Sequence, residues 1–312
     1  MLNRRRSRHV LVLALSLAGA LLLSACSTGS PSASTDSNSS AGPSLSSPDP
    51  SMYLTPGKLT VGTGEPAYFP WVIDDSPASG KGFEAAVAYA VADKLGFAKE
   101  NVTWVRSTFD EAIAPGPKSF DFNLQQFSIT PERAQQVDFS SPYYETTQAV
   151  ITVGTSAAAA VTSLAGLKGL LIGAATGTTS FTEAEKLIAP TQGVQAFNTN
   201  DDAKLALQNG TVDAIVVDLP TAFYLTGVEL DGGTIIGQLP SENTSGSASP
   251  TPTPGSSPAA QAGTDEFGLV LAKGSPLTLA VSAAVDALRA DGTLARLADT
   301  WLAGNADAPV LK

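Results

Sequence analysis

The chain has 312 residues, with 18 Lys and Arg against 29 Asp and Glu, a net charge of −11, and a single His and a single Cys. This acidic balance argues against a nucleic-acid-binding protein. His9 and Cys26 both lie before residue 27, so the rest of the chain lacks imidazole and thiol groups. Ser-His-Asp and Cys-His catalysis, His-based zinc sites and disulfides are therefore excluded from it, and we expect neither a metal ion nor a cofactor.

Residues 1–26 have the pattern of a targeting segment. A basic stretch precedes an apolar run over 10–23, which ends at Leu23-Ser24-Ala25-Cys26. This ending resembles the lipobox of bacterial lipoproteins, which implies a lipidated Cys26 that anchors the mature protein to the outer face of the cytoplasmic membrane. A retained transmembrane anchor is the alternative, but the run is shorter than the roughly 20 residues that a span needs. Cleavage removes four Arg and no acid, which leaves 14 basic and 29 acidic residues, a net charge of −15.

Residues 27–56 are rich in Ser, Pro, Gly and Thr and have almost no large apolar side chains. This composition predicts a disordered tether between the lipid and the folded domain. About 255 residues follow, enough for one large or two smaller α/β lobes.

The first elements after the tether alternate between strand and helix. The sequence predicts strands over 58–63, 102–105 and 120–127, a helix over 83–95 that Gly96 ends, and a short helix after Phe109. An aromatic and Pro-rich loop over 64–71 follows the first strand. This alternation predicts a mainly parallel α/β sheet.

The segment 125–144 begins where the third of these strands ends. Thr130-Pro131-Glu132 has the composition of a helix start, which places Arg133 on the opening turn. A guanidinium beside free backbone N–H groups and the hydroxyls of Ser128 and Thr130 is suited to binding a carboxylate through two parallel hydrogen bonds. The alternative is an ordinary surface Arg on a short helix.

The pattern restarts after residue 144, which predicts a second lobe. We expect strands over 149–153, 169–174 and 212–217 and helices over 180–188 and 201–209. The low-complexity stretch 240–265 predicts a long surface loop, because it has too little apolar surface to pack. A strand over 267–272, a helix over 277–288 and a last helix that ends at Trp301 follow.

Several separated motifs together resemble the amino-acid-binding receptors of bacterial ABC importers, the extracellular solute-binding proteins of family 3. The motifs are Gly82-Phe83-Glu84, Ser128-Ile129-Thr130-Pro131-Glu132-Arg133, Val137-Asp138-Phe139-Ser140-Ser141-Pro142-Tyr143-Tyr144, Ala175-Thr176-Gly177-Thr178-Thr179-Ser180, Asp213-Ala214-Ile215-Val216-Val217-Asp218, Phe267-Gly268-Leu269 and Asp291-Gly292-Thr293-Leu294 with Trp301. The resemblance covers essentially all of 57–304. It implies the type II periplasmic-binding-protein fold, two α/β lobes joined by a two-strand hinge.

The resemblance also implies the domain boundaries. The chain would cross between the lobes twice, near 141–147 and near 237–267. Lobe 1 would comprise 57–145 plus 266–312, lobe 2 would comprise 146–239, and 240–265 would be an insertion near the hinge.

By the same resemblance, Arg133 would bind the α-carboxylate of a free amino acid, helped by Ser128 and by backbone N–H groups around Thr178 and Thr179. The loop at these two Thr precedes a helix and therefore offers unpaired donors. Asp218 would take the α-ammonium, and it lies at the carboxyl end of an apolar strand, where α/β sheets place ligand groups. The alternative for Asp218 is the N-cap of the following helix.

Tyr68 and Phe109 match positions where the family places rings against the ligand side chain, and core packing is the alternative. Glu65 matches a position that faces the distal end of the ligand, which would favour a polar or basic side chain. Gln125-Gln126 departs from the small residues common at that point in the family, so this pair is expected to shape the side-chain pocket.

The leading interpretation is a lipid-anchored extracytoplasmic receptor, monomeric and without catalytic residues. It would capture a free amino acid by cleft closure and present it to a membrane ABC permease. One alternative is a lipid-tethered amino-acid sensor. The other is an enzyme on the same fold, such as a cyclohexadienyl dehydratase, for which a carboxylate with a raised pKa in the cleft would be the sign.

Overall fold

A computed structural model describes residues 48–240, 264–302 and 308–312. The predicted signal peptide with Cys26, the tether up to residue 47, and residues 241–263 of the predicted insertion lie outside them. Among the described residues, no helix has the length and apolar character needed to cross a membrane. The same residues contain no group of three or more His, Cys, Asp or Glu arranged to hold a metal ion.

The predicted strands and helices occur in the predicted order, and within the described ranges the structure adds three strands, over 137–139, 194–197 and 233–238, and two helices, over 164–167 and 219–224, between them. The strands are β1 (Leu59–Thr63), β2 (Val102–Arg106), β3 (Phe122–Asn123), β4 (Val137–Phe139), β5 (Tyr144–Thr146), β6 (Gln148–Val153), β7 (Ile172–Ala175), β8 (Val194–Phe197), β9 (Ala214–Asp218), β10 (Gly233–Gln238), β11 (Asp265–Phe267) and β12 (Val270–Ala272). The α-helices are α1 (Phe83–Lys94), α2 (Phe109–Ile113), α3 (Pro131–Ala134), α4 (Leu164–Leu167), α5 (Thr179–Glu183), α6 (Asn200–Gln208), α7 (Leu219–Tyr224), α8 (Thr278–Ala290) and α9 (Thr293–Trp301).

Lobe 1 is built on a five-stranded sheet with the order β2-β1-β3-β12-β4. Helices α1, α8 and α9 contact one another beside it. Helix α1 forms because Phe83, Val87 and Val91 recur every four residues and are all buried. The helix ends before Gly96, which has a left-handed φ of +87° that side chains rarely adopt.

Lobe 2 is built on a second five-stranded sheet with the order β10-β6-β9-β7-β8. Its central strand β9 is buried on both faces: Ile215 and Val217 belong to one core cluster, and Ala214 and Val216 belong to another. Successive side chains of a strand point to opposite faces, so a strand covered on both sides needs a continuous apolar run. The sequence Ala-Ile-Val-Val has that character.

The two lobes are joined by the short antiparallel pair β5 and β11, in which Tyr144 lies opposite Phe267 and Thr146 opposite Asp265. This pair confirms the predicted architecture of two α/β lobes with a two-strand hinge. Asp265, predicted to belong to the low-complexity insertion, is instead the first residue of a hinge strand.

The prediction of mainly parallel sheets was wrong, because both sheets are mixed. Strands β1, β2 and β3 pair in parallel in lobe 1, and β7 pairs in parallel with β8 and β9 in lobe 2. The strands that follow the two hinge crossings, β6 and β12, run antiparallel to their neighbours. Successive parallel strands need a crossover connection, usually a helix, and β6 and β12 enter their sheets from the hinge strands without one.

Two predicted strands were too long. The strand predicted over 120–127 is limited to β3, because Gln126 has a φ of +51° and donates its backbone N–H to Glu84 instead of to a neighbouring strand. The strand predicted over 267–272 divides into β11 and β12. Phe267 pairs with the hinge, whereas Val270 pairs with the lobe 1 sheet.

Both ends of the described chain depart from the predicted boundaries. Residues 48–56 belong to lobe 1 rather than to a disordered tether: Tyr53 is 5% exposed in the lobe 1 core, and the backbone N–H of Leu54 donates to Asp121 at 2.8 Å. Residues 308–312 pack on lobe 2 rather than on lobe 1. Leu311 lies in a lobe 2 core cluster, and its N–H donates to the Gln238 carbonyl at 2.9 Å.

Candidate binding cleft

A cavity of about 350 Å³ lies between the two lobes and is lined by both. Lobe 1 contributes the loop after β1, part of α1, the segment around α2, and the segment from residue 125 to α3. Lobe 2 contributes the loop between β7 and α5, residues 198–200 and the end of β9. This volume lies near the lower end of the range of about 300–1,000 Å³ that is typical of small-molecule sites.

Arg133 lies on the opening turn of α3, as the helix-start residues predicted, and it lines this cavity. Thr130 caps the helix by accepting a hydrogen bond from the Arg133 backbone N–H at 3.2 Å. The guanidinium donates to the Ser128 carbonyl at 2.7 Å and to the Gly177 carbonyl of lobe 2 at 2.8 Å, and its Cζ lies 5.2 Å from the centre of the Phe109 ring. A guanidinium has five N–H donors, so three remain for a carboxylate.

Further contacts connect the lobes around the cavity. The hydroxyl oxygens of Ser128 and Thr179 lie 3.2 Å apart, and Ser128 is 2% exposed. The indole N–H of Trp71 in lobe 1 donates to the Thr221 hydroxyl of lobe 2 at 3.4 Å. The carboxylate-binding residues predicted from the two lobes are therefore brought together in one place.

Asp218 ends β9 and lines the cavity, as predicted. Although it occupies the N-cap position of α7, its side chain makes no capping hydrogen bond and instead accepts from the Gln148 amide at 2.7 Å. Asp218 is therefore the N-cap residue by position, as the alternative interpretation had it, but its side chain does not cap the helix. Loss of solvation and the nearby Asp265 raise the pKa of Asp218 to about 7, whereas the Gln148 hydrogen bond and Arg133 act in the opposite direction.

Two residues beside Asp218 were missed in the sequence. Gln148 on β6 is 1% exposed and donates from its amide nitrogen to Asp218 and to Asp265, the latter at 2.5 Å. Asp265 also accepts from the Thr179 hydroxyl at 2.7 Å. Neither residue lies in a recognisable motif, and only their pairing with Thr179 and Asp218 in the fold identifies them.

Glu84 is a third missed residue, although it belongs to the Gly82-Phe83-Glu84 motif. It lines the cavity and is 2% exposed. Its carboxylate accepts from the backbone N–H of Gln126 at 2.8 Å, from the Gln126 side-chain amide and from the Tyr143 hydroxyl. Burial raises the pKa of Glu84 to about 7, and these three hydrogen bonds oppose the increase.

Lowering the pH from 8 to 5.5 is expected to raise the melting temperature of the protein measured without ligand. Because the folded pKa of Glu84, about 7, lies above its reference value of 4.5, the folded state binds a proton that the unfolded state lacks between these values. Stability therefore rises as the pH falls through 7, by roughly 1 kcal/mol per pH unit. Thermal unfolding at several pH values measures this effect.

The matched variant is Glu84→Gln, which removes the titrating group. It should be more stable than the parent protein at pH 8 and should show a weaker dependence on pH, with the remaining dependence due to Asp218 and to the general acidic charge. Identical pH profiles for the two proteins would contradict the assignment.

The structure places most of the other predicted site residues at the cavity. Glu65, Tyr68, Phe109 and Thr178 all line it. Phe109 also packs against Phe127, with ring centres 4.8 Å apart, so its ring serves both the core and the cavity. Burial and the nearby Asp201 of lobe 2 raise the pKa of Tyr68.

Thr130 was predicted to contribute a hydroxyl to the ligand, but the structure uses that hydroxyl as the cap of α3. It lies beside a second cavity of about 810 Å³, which shares Arg133, Thr178 and Thr179 with the first and is also lined by Asp265.

The charges of the cavity lining are unequal. Four carboxylates, those of Glu65, Glu84, Asp110 and Asp218, face one guanidinium, that of Arg133, among the described residues that line it. Burying an additional anion among these groups would be unfavourable, and a cation would be favoured.

Comparison with known families gives one match over most of the chain. The model of the bacterial extracellular solute-binding proteins, family 3, matches residues 59–304. The curated relatives include the L-arginine-binding protein of Pseudomonas aeruginosa, which is 28% identical over 241 residues, 76% of this chain and 85% of the relative.

Solved structures give the same picture. An ancestral arginine-binding protein bound to glutamine matches with a TM-score of 0.61 and 28% identity, over 79% of this chain and 98% of that protein. An ancestral amino-acid-binding protein described as a precursor of cyclohexadienyl dehydratase matches with a TM-score of 0.61 and 26% identity, over 79% of this chain and 95% of that protein.

Proposed function

Because the chain belongs to the bacterial extracellular solute-binding proteins of family 3, we propose that it captures a free amino acid in the cleft between its lobes. The family and the type II periplasmic-binding-protein fold that its sequence predicted are both confirmed. The observation that supports capture of an amino acid most directly is the pair Arg133 and Asp218. These oppositely charged side chains come from different lobes and line one cavity.

The chemistry of this pair suits a zwitterion. Three N–H donors of Arg133, together with the backbone N–H groups at the start of α5, would bind the α-carboxylate. The carboxylate of Asp218 would accept from the α-ammonium. A ligand that lacks either charge would leave one buried ion unpaired, which is the source of selectivity.

We propose further that the side chain of the ligand is basic. The excess of carboxylates in the lining favours a net positive ligand, and Glu65 at the exposed edge of the cavity is suited to a cationic head group. The arginine-binding relative is consistent with this proposal. We propose that the protein is anchored through a lipid on Cys26 and delivers its ligand to an ABC permease. A tethered sensor would bind the same ligand in the same cleft and would differ only in its membrane partner.

A thermal-shift panel of the L-amino acids, followed by calorimetry, tests this function. L-Arginine, L-lysine or L-histidine should raise the melting temperature by several degrees, because a ligand at 100 times its Kd stabilises the folded state by about 2.7 kcal/mol. L-Glutamate should produce no shift. A flat response to the whole panel would eliminate the proposal.

An enzyme remains the second candidate, because the cavity contains two carboxylates with a pKa near 7, Glu84 and Asp218. The hydrogen bonds to Glu84 occupy both of its oxygens, which leaves it poorly placed to abstract a proton. Chromatography of the panel after prolonged incubation separates the two functions, since a receptor returns its ligand unchanged.

A further inference from the structure

Asp265 links the hinge to the binding cleft. Its backbone pairs with Thr146 in the hinge, and its side chain reaches lobe 2, where one carboxylate oxygen accepts from the Thr179 hydroxyl and from the Gln148 amide. Thr179 begins α5 and lines the cavity. The Asp265 side chain therefore bonds to both Thr179 and Gln148, although it does not itself line the cavity of about 350 Å³.

Gln148 connects Asp265 to Asp218 through hydrogen bonds from its amide nitrogen. Its amide oxygen accepts from the Ser180 hydroxyl at 2.5 Å, which fixes the orientation of the amide, and its nitrogen then faces both carboxylates. One N–H group is available for each. The Gln148 amide nitrogen therefore bridges the two carboxylates: it donates one hydrogen bond to Asp218 and one to Asp265.

The charges around Asp218 come from several elements. Asp265 on β11 and Glu84 on α1 both raise its pKa in addition to its burial, whereas Arg133 on α3 lowers it. Tyr143 donates its hydroxyl to Glu84, and the charge of Asp218 contributes to the raised pKa of that Tyr. Among these neighbours, Asp265 has the largest effect on Asp218 after burial.

We propose that Asp265 is a positioning residue of this binding site: through Gln148 it holds the Asp218 carboxylate, and it sets the pH range in which the cleft captures an ammonium ligand. This inference rests on the proposed function. An ammonium group requires the ionised carboxylate, so binding below the pKa of Asp218 must release a proton. Affinity for the ligand then falls by up to tenfold for each pH unit of acidification.

Calorimetric titration with L-arginine from pH 5.5 to 8.5 tests the inference. The parent protein should lose about tenfold in affinity between pH 7.5 and pH 6, with proton release detected from the dependence of the heat on the buffer. In Asp265→Asn the neighbouring negative charge is absent, so the affinity for L-arginine should begin to fall about one pH unit lower than in the parent. Glu84 titrates in both proteins, and the difference between the profiles therefore isolates Asp265.

Glu266→Gln is the matched control, because the neighbouring residue on β11 pairs with Glu145 and alternate strand residues point to opposite faces. Its profile should match that of the parent. In Asp265→Glu, which keeps the negative charge, the affinity should fall at a pH close to that of the parent. Superimposable profiles for Asp265→Asn and the parent would overturn the inference, while continued binding by the parent would leave the proposed function intact.

A second variant covers the case in which Asp265→Asn does not fold. Gln148→Met removes the hydrogen bond that lowers the pKa of Asp218 and keeps both carboxylates. It should move the loss of affinity to higher pH, opposite to Asp265→Asn, and an unchanged profile would contradict the inference. If the parent protein itself binds no amino acid, the proposed function fails instead.

Discussion

Replacing Arg133 by Ala is expected to weaken the binding of L-arginine by about 30-fold or more while the fold is retained. Removal of one partner of a desolvated, hydrogen-bonded charge pair costs roughly 2–5 kcal/mol, because the ligand carboxylate is then buried without its counter-ion. Arg133 is only half-buried, and its two structural bonds go to backbone carbonyls, so lobe 1 does not depend on it for its core. Calorimetry and circular dichroism measure the two effects.

Arg296→Ala is the matched control, since the guanidinium of this exposed Arg on α9 bonds, within the described part of the chain, to Asp291 and Thr293 close by in sequence. Its affinity for L-arginine should equal that of the parent. Agmatine, which lacks the α-carboxylate, sharpens the test. The parent should prefer L-arginine to agmatine by a large factor, and Arg133→Ala should remove most of that preference. Retained micromolar affinity for L-arginine in the variant would remove Arg133 from the site.

The parts of the cleft that could be predicted from the sequence depend on local signals. Thr130 and Pro131 define a helix start, which fixes the position of Arg133 within one turn. The apolar run of β9 likewise ends at Asp218. Neither signal says that the two side chains face one cavity, and that step required the family resemblance.

The residues that were missed are brought to the site over long distances in the chain. Gln148 and Asp265 are 117 residues apart, and Glu84 and Gln126 are 42 apart. No local periodicity records such pairings. The composition around Asp265 also predicted a surface loop, because hinge strands are short and the stretch before it has few apolar residues. Tyr53 was assigned to the disordered tether for the same reason, since a single aromatic residue in a polar segment gives no sign that it will be buried.

The mixed sheets have a related cause. Alternation of strand and helix correctly predicted parallel neighbours within each lobe, but it carries no information on the strands that return from the hinge. Their direction depends on where the hinge places them. This distinction matters for function, because β6 carries Gln148 and β11 carries Asp265. The residues around Asp218 therefore lie on strands at the hinge, whose direction the alternation could not predict.

Replacing Asp218 by Asn is expected to weaken L-arginine binding by about 100-fold and to stabilise the protein measured without ligand at pH 8. Binding falls because an amide cannot pair with the α-ammonium at the strength of a carboxylate. Stability rises because a pKa raised to about 7 means that the ionised Asp218 destabilises the fold above that pH, and the neutral Asn avoids this cost. A melting temperature a few degrees higher is expected in thermal unfolding.

Two comparisons separate loss of the ammonium contact from general damage to the cleft. The 2-hydroxy analogue of arginine lacks the α-ammonium, so Asp218→Asn should bind this analogue with nearly the affinity of the parent. The preference of the protein for L-arginine over the analogue should therefore become smaller in the variant. Asp231→Asn, an exposed acid of lobe 2, should alter neither binding nor stability. Because the same carboxylate opposes folding and serves binding, only a variant that gains stability as it loses L-arginine fits the role assigned to Asp218. Loss of both would show instead that Asp218 supports the lobe 2 structure.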